Sequence, residues 1–195
     1  MRSAIHLLVF VMTFIAPNSI DASPHVTVRI YNPATTRLGD FAPALVTATG
    51  ILDAAGVAVF WRRCDIKVSG DDACAAPLRA NEVAIRFLTS PSLSGLRNQM
   101  QLGYSVVDTG AHAGALASVF PERVAMLARE AGMDADLLLG RAIAHEIGHL
   151  LLGTTTHPAD GLMRAVWSVD ALQRNLPKDW LFAKRDAVRM RAAMK

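Results

Sequence analysis

The chain has 195 residues and a formal net charge of +3, which suits one domain with a buried core. Much of the excess positive charge lies near the C-terminus, where it fits a solvated helix face. No basic block with interleaved aromatic residues occurs, so the composition argues against a nucleic-acid partner.

The first 22 residues have the pattern of a secretory signal peptide. Arg2 gives a basic start, and an almost unbroken apolar run follows from Ala4 to Ala16, too short to span a bilayer comfortably. A polar stretch then ends in small residues, which predicts cleavage after Ala22. An uncleaved membrane anchor is the alternative. We therefore predict a signal peptide at 1–22 and a single domain at 23–195, secreted or periplasmic and without stable membrane insertion.

The first half of the mature chain predicts strands with one intervening helix. Residues 26–32 alternate and are rich in β-branched side chains, which is typical of a strand. A helix follows, capped by Asp40 and ended by Gly56. Its apolar face comprises Phe41, Ala44, Leu45, Ala48, Leu52 and Ala55. Further strands are predicted at 57–61, 83–88, 102–108 and 114–120.

Cys64 and Cys74 are the only two cysteines, and their spacing does not match a CxxC metal site. In an exported protein such a pair most simply forms one disulfide that closes a short loop. That bond would stabilise the fold by roughly 2–3 kcal/mol. Two free buried thiols are the alternative.

The second half is predicted to be mainly helical. One helix begins at Pro121, a favoured first helical residue, and stops at Gly132. A final helix is predicted over about 179–194, with a longer helix between the two. The order β-α-β-β-β-β-α-α-loop-α indicates an α+β domain with a twisted mixed sheet and helices packed on it.

The longer helix is almost entirely apolar, and it carries the most informative motif. Asp134 or Asp136 caps it, and it ends at about Leu152, before a terminating Gly153. A buried helix must satisfy any polar side chain that it contains, since unpaired buried polar groups are costly.

Two histidines four residues apart flank a glutamate in this helix. Residues four apart stand on the same helix face, so His145 and His149 can aim two imidazoles at one point. Neutral imidazole is a favoured zinc ligand. Glu146 borders the same face, where it can contact a metal-bound water rather than the metal. This is the HExxH arrangement of metallopeptidases.

Features around the motif strengthen the prediction of a metal site. One zinc ion would satisfy the buried His-Glu-His set together. Gly148 removes side-chain bulk beside the metal face, and the chain turns at Gly153 and offers His157 shortly after. The alternative is a core helix whose histidines bond to backbone carbonyls.

The run HEIGHLLLGTTTH, followed by GLM, resembles the metzincin clan of zinc endopeptidases, whose motif is HExxHxxGxxH with a later methionine-containing turn. The resemblance is detailed over residues 113–167 and is of a matrixin-like, small secreted bacterial type. It implies a metzincin-like zincin domain with an active-site helix, a Met-turn, a C-terminal helix and Zn²⁺ as cofactor. The zinc ligands it implies are His145, His149 and His157, with Glu146 as catalytic base, Gly153 as the turning glycine and Met163 in the turn.

The spacing before the third histidine departs from the metzincin pattern. Gly153 lies four residues after His149 rather than three, and three threonines precede His157, so the third ligand is displaced by two positions. Loops tolerate such changes, so a longer loop would compensate. Asp160 is the fallback oxygen ligand.

The stretch GALASVFPERV looks like the matrixin edge strand above the cleft. By this resemblance, a peptide or protein substrate would bind extended along residues 114–119 through main-chain hydrogen bonds. Ser118 stands where matrixins have a histidine for a structural zinc, so a second zinc is not expected. His112 is expected at the surface.

These patterns together predict a secreted, monomeric, zinc-dependent endopeptidase in which Glu146 is the general base. Two alternatives stay open: a non-catalytic zinc-stabilised binding module, and a zinc hydrolase of a non-peptide amide such as a cell-wall bond. Glu146 argues against the binding module, because a structural site needs no base. The tryptophans Trp61, Trp167 and Trp180 are expected to be core or rim packing.

Overall fold

The computed structural model describes residues 24–32, 41–64, 72–89 and 101–194. The predicted signal peptide and the predicted helix cap Asp40 lie outside these ranges. Phe41 occupies the N-cap position of the first helix without a side-chain hydrogen bond. No helix in the described ranges is long and apolar enough to cross a membrane.

Within the described ranges, five strands form one sheet in the order β2-β1-β3-β5-β4. They are β1 (His25–Tyr31), β2 (Ala58–Arg63), β3 (Glu82–Phe87), β4 (Gly103–Asp108) and β5 (Ala113–Val119). The first three strands and β5 are parallel, whereas β4 is antiparallel to β5. The predicted α+β class with a mixed sheet is therefore confirmed, with strand bounds that agree to within one or two residues.

The strand expected at the edge of the sheet is internal. β5 pairs with β3 through Leu116 to Val119 and with β4 along its length. The short connection between β4 and β5 folds β4 back as an antiparallel neighbour, and this covers the side of β5 that was expected to be free. The assignment of residues 114–119 to an edge strand is therefore wrong. Among the described strands, β4 is the edge on this side of the sheet.

The described ranges contain five helices, and the third is central. They are α1 (Ala42–Ala54), α2 (Pro121–Ala131), α3 (Ala135–Leu152), α4 (Val169–Arg174) and α5 (Lys184–Ala193), with 3₁₀ turns at Asp72–Cys74 and Pro177–Trp180. α3 contacts strands β3 to β5 and helices α1 and α2, and all of its residues from Leu138 onward are buried. The chain therefore places its HExxH motif in the core of the fold.

Local chemistry defines both ends of α3. Asp134, rather than Asp136, is the N-cap, and its carboxylate accepts a hydrogen bond of 2.7 Å from the Leu137 amide. Gly153 ends the helix in the left-handed conformation with φ 59°. A Cβ on this glycine would lie 2.1 Å from the carbonyl oxygen of His112. Only glycine therefore fits the point where the chain leaves α3 and returns towards its histidines.

The C-terminal region differs from the single helix predicted over 179–194. α5 begins at Lys184, because Leu181 is extended and its carbonyl accepts a hydrogen bond of 3.1 Å from the Leu162 amide. The preceding helix α4 is absent from the sequence prediction, although Ser168 caps its start by accepting a hydrogen bond from a backbone amide. The Leu162 contact ties this region to the chain segment beneath the histidines.

A buried ion pair holds the loop before β3 against β1, and the disulfide ties the same loop to the end of β2. The guanidinium of Arg29 donates hydrogen bonds to Glu82 and to the carbonyls of Ala76 and Pro77, and it is 2% exposed. The predicted Cys64–Cys74 disulfide is present, with Cα atoms 5.5 Å apart. These contacts stabilise the half of the sheet that lies away from the histidines.

Candidate metal centre and cleft

Three imidazoles converge at one point beside α3. His145 and His149 are buried on the helix, while His157 lies exposed on the loop that returns after Gly153. The Nε2 atom of His149 lies 3.0 Å from Nε2 of His145 and 3.1 Å from Nε2 of His157. The loop with three threonines thus offsets the displaced spacing. Asp160 is exposed and is not part of this group.

Backbone carbonyls fix the tautomers of the two helix histidines. Nδ1 of His145 lies 2.9 Å from the Leu162 carbonyl oxygen, and Nδ1 of His149 lies 2.7 Å from that of Thr154. Because a carbonyl can only accept, each Nδ1 carries the hydrogen and each Nε2 presents a lone pair. The two predictions for these histidines, carbonyl bonding and metal binding, are therefore compatible. The backbone uses only Nδ1 of each ring and leaves Nε2 available for a metal ion.

The converging lone pairs suit a cation rather than protons. Burial, reinforced by the neighbouring imidazole, lowers the pKa of His145 to about 3, and burial lowers the pKa of His149 to about 4. Burial also lowers the pKa of His157. All three rings are therefore neutral at pH 7, the form that ligates metals. Three imidazole nitrogens and an open side match the ligand set of a catalytic zinc site.

Glu146 lies next to this group with its carboxyl held by the edge strand. It is 5% exposed, and its Oε2 accepts a hydrogen bond of 2.6 Å from the hydroxyl of Ser105 on β4. Burial raises the pKa of Glu146 to about 7, against the lowering effect of that hydrogen bond. A Cβ on Gly103 would lie 2.7 Å from Oε1 of Glu146. β4 therefore gives the carboxyl both a partner and the space that it occupies.

The segment after His157 forms the floor beneath the histidines. The Leu162 carbonyl accepts from His145, and Met163 is 2% exposed. A Cβ on Gly148 would lie 2.7 Å from the Met163 sulfur, so the predicted role of Gly148 in removing bulk matches the packing. The Met163 side chain thus packs directly against the motif helix between the two histidines.

An open cleft of about 370 Å³ lies over the site. Its walls come mainly from the start of β4, from α3 and from the segment after Met163. The residues that line it are Gln101, Leu102, Gly103, Tyr104, Ser105, Leu127, Ala142, His145, Glu146, His149, Thr155, His157, Arg164, Ala165, Val166 and Trp167. The Trp167 ring packs edge-on against His145, with centroids 5.6 Å apart. An elongated ligand entering this cleft would meet the three imidazoles and Glu146 together.

The burial of the tryptophans, of His112 and of Ser118 can be compared with their predicted positions. Trp167 and Trp180 are buried and Trp61 is partly buried, which confirms their packing role, although Trp167 also lines the cleft. His112 is exposed, as expected. Ser118 is fully buried, and its hydroxyl accepts a hydrogen bond of 2.8 Å from a guanidinium on the adjacent strand.

The sequence analysis did not identify the β4 residues that contact Glu146. Gly103 and Ser105 are two residues apart, so they share one face of the strand. The alternation of β4 is visible in the sequence, but which face meets α3 depends on a contact between segments about 40 residues apart in the chain, for which the sequence pattern carries no signal.

Comparison with solved structures shows an archaemetzincin-like fold. The crystal structure of archaemetzincin from Methanopyrus kandleri aligns with a TM-score of 0.54 and 18% sequence identity, over 89% of this chain and 98% of that chain. A zinc-dependent peptidase from Methanocorpusculum labreanum (strain Z) aligns with a TM-score of 0.49 and 16% identity, over 84% and 99% of the two chains. No protein-family profile and no curated protein matches the sequence.

Proposed function

We propose that the protein is a zinc-dependent metallopeptidase, an endopeptidase of the metzincin type. The observation that carries this proposal is the convergence of three imidazole Nε2 atoms beside a buried glutamate in an open cleft. The archaemetzincin-like fold supports it. In this proposal His145, His149 and His157 are the zinc ligands, and Met163 belongs to a Met-turn.

The chemistry of the site supports Glu146 as the proposed general base. When bound, zinc would supply Lewis acidity that polarises a peptide carbonyl and acidifies water. Glu146 accepts a proton from the attacking water and returns it to the leaving amine. Ser105 orients the carboxyl through its hydroxyl, and the two backbone carbonyls orient the imidazoles. A purely structural site would need none of this support around a glutamate, so the binding-module alternative is not favoured.

We infer that the peptide substrate lies extended along β4, not along residues 114–119. β4 is the edge strand beside the cleft, and its first three residues line the cleft wall. An edge strand presents unpaired N–H and C=O groups to which an extended peptide can add as a further strand. The substrate would then cross the three histidines with its backbone held by β4.

The proposed location is the periplasm or the extracellular space, and the proposed state is a monomer. The Cys64–Cys74 disulfide supports an oxidising compartment. Expression of the complete chain in a bacterial host, followed by cell fractionation and N-terminal sequencing, tests this. An exported product beginning at Ser23 is expected, and a cytosolic product retaining Arg2 would contradict the proposal.

Metal analysis and peptide digestion test the proposed activity. The purified protein should contain one equivalent of zinc and cleave a peptide library, and a chelator should abolish the cleavage. Glu146→Gln should keep the zinc and lose hydrolysis. A Glu146→Gln variant that cleaves at the wild-type rate would remove the general base from the proposal. Cleavage of amide-containing cell-wall fragments, with no peptide cleaved, would instead favour the non-peptide hydrolase.

A matched pair of variants tests the third ligand. His157→Ala should weaken zinc binding strongly, because it leaves two protein ligands, while Asp160→Ala should leave it unchanged. Zinc titration against a competing chelator measures both affinities. The reverse order of effects would assign the third ligand to Asp160.

A further inference from the structure

Four side chains form a continuous stack behind one wall of the cleft, and we call them the donor cluster: Arg141, Arg164, Trp167 and Trp180. The guanidinium carbons of Arg141 and Arg164 lie 4.0 and 4.6 Å from the centroid of the Trp180 ring. The Trp167 ring meets Trp180 edge-on at 5.4 Å. Arg164 and Trp167 line the cleft, so the stack reaches the proposed substrate site.

The donor cluster contains an excess of hydrogen-bond donors. Seven buried side-chain nitrogen and oxygen atoms in the described ranges have no hydrogen-bond partner, and five of them belong to this cluster. They are Nη1 of Arg141, Nε and Nη2 of Arg164, and Nε1 of Trp167 and of Trp180. All five are N–H donors. Buried polar groups are almost always paired in folded proteins, so an acceptor that reaches these donors would be bound favourably.

The donor cluster is also short of negative charge. Its only nearby carboxylate, among the residues that the structure describes, is that of Asp179, which lies 3.9 Å from Nη1 of Arg164 and is too far for a hydrogen bond. Arg141 has a neutral partner, because its Nη2 donates to the Asn175 side-chain oxygen. Burial, together with the charge of Arg164, lowers the pKa of Arg141 to about 10. Arg141 is therefore charged at pH 7, and among the described residues the cluster has one ion pair, between Arg164 and Asp179.

We propose that Arg164 and Trp167, the two members of the donor cluster that line the cleft, bind a substrate carboxylate, so that the enzyme selects peptides with an acidic group beside the scissile bond. This inference rests on the proposed peptidase function. A carboxylate offers only acceptors and takes two parallel hydrogen bonds from a guanidinium. Arg164 stands one residue after the floor residue Met163, and Trp167 contacts His145. A carboxylate bound there belongs to a residue next to the bond being cleaved. Its source is either an Asp or Glu side chain or the free C-terminus of a peptide.

Matched substrates and variants test the proposal. Digestion of a peptide library locates the position at which acidic residues are enriched. Peptides with Glu, Gln or Leu at that position, each as a C-terminal acid and as an amide, then separate the two carboxylate sources. The variants are Arg164→Met, Trp167→Phe, which removes one donor and keeps an aromatic ring, and Arg174→Met, which removes an exposed charge from α4 as a control.

The wild type and Arg174→Met should cleave the Glu peptide about ten-fold or more faster in kcat/KM than the Gln peptide. Arg164→Met should reduce this ratio to near one while still cleaving the Gln and Leu peptides, and Trp167→Phe should reduce it partly. A preference for the free acid over the amide would assign the carboxylate to the C-terminus, and the enzyme would then be a carboxypeptidase rather than an endopeptidase. Equal cleavage of all matched pairs by the wild type would overturn the inference but leave the peptidase function intact.

A binding experiment separates failure of the inference from failure of the proposed function. Fluorescence anisotropy measures the binding of labelled Glu and Gln peptides to the Glu146→Gln variant, and this measurement needs no catalysis. Tighter binding of the acidic peptide, lost on adding Arg164→Met, supports carboxylate recognition even if the wild type cleaves no peptide. Equal binding of both peptides overturns it.

Discussion

Replacing Gly103 by alanine would place a methyl group in the space that the Glu146 carboxyl occupies. The new Cβ would lie 2.6 Å from the carbonyl oxygen of Ser118 and 2.7 Å from Oε1 of Glu146, whereas ordinary contacts begin at 3.4 Å. The Ser118 carbonyl belongs to the backbone of a paired strand, so β4 must shift against β5 to relieve that contact, and the Glu146 side chain must move to relieve the other. A displacement of roughly 0.7 Å in the proposed base should lower kcat/KM on the order of 100-fold. Overpacking should also lower the free energy of unfolding by about 1–3 kcal/mol.

Peptide hydrolysis, zinc content and thermal unfolding of Gly103→Ala measure these effects separately. Zinc content should remain near one equivalent, since the substitution does not touch the three imidazoles. Gly50→Ala is the matched control: it lies in α1, nothing lies within 4 Å of its added Cβ, and alanine is favoured over glycine in a helix by about 1 kcal/mol. It should keep full activity and unfold at a slightly higher temperature.

Wild-type kcat/KM in Gly103→Ala would refute the reasoning, because it would show that Glu146 does not need its observed position to act. Loss of zinc together with activity would also refute it, since the damage would then lie at the imidazoles.

Three further predictions concern the support of the site and the fold. Ser105→Ala should reduce kcat on the order of ten-fold with unchanged zinc content, because Glu146 loses its orienting hydrogen bond; unchanged kcat would show that packing alone holds the carboxyl. Gly153→Ala should lower the free energy of unfolding by about 2 kcal/mol, through its left-handed φ of 59° and its close backbone contact, and a thermal midpoint equal to wild type would contradict this. Burial opposes ionisation of Glu82, but hydrogen bonds from a backbone amide and from Arg29 outweigh it and lower its pKa below 4.5. Its contribution to stability is therefore full above about pH 4.5 and is lost as the pH falls through the lowered pKa. Glu82→Gln should lower the free energy of unfolding by about 3 kcal/mol at pH 7. Urea unfolding of this variant from pH 7 to pH 3 should show a weaker pH dependence than that of the wild type. The same pH dependence in both proteins would show that the ion pair does not contribute to stability.

The helical part of the metal centre could be predicted because its geometry is local. Residues four apart on a helix share a face whatever surrounds them, so His145 and His149 follow from their spacing alone. The left-handed Gly153 is also a local signal. The returning loop after Gly153 brings Nε2 of His157 to 3.1 Å from Nε2 of His149. This position depends on the path of the loop, which the sequence indicates only through the family resemblance.

The features that the sequence analysis missed depend on contacts between distant segments. The order of strands places β4 outside β5, a pairing that alternation within either strand does not reveal. α5 starts late because a carbonyl at Leu181 bonds to an amide at Leu162, on the far side of α4. The donor cluster is a further case, since its members span residues 141 to 180 and meet only through the folded C-terminal region.

Among the residues that the structure describes, those lining the cleft come from one stretch of the chain, from Gln101 to Trp167. Strands β1 to β3 and helix α1 act as a foundation: they bury apolar surface against the sheet and α3, and none of their residues lines the cleft. Substitutions in that foundation should alter the stability of the protein, whereas substitutions in the later stretch should alter its choice of substrate. Laboratory evolution of a new substrate preference could therefore leave the first third of the molecule untouched.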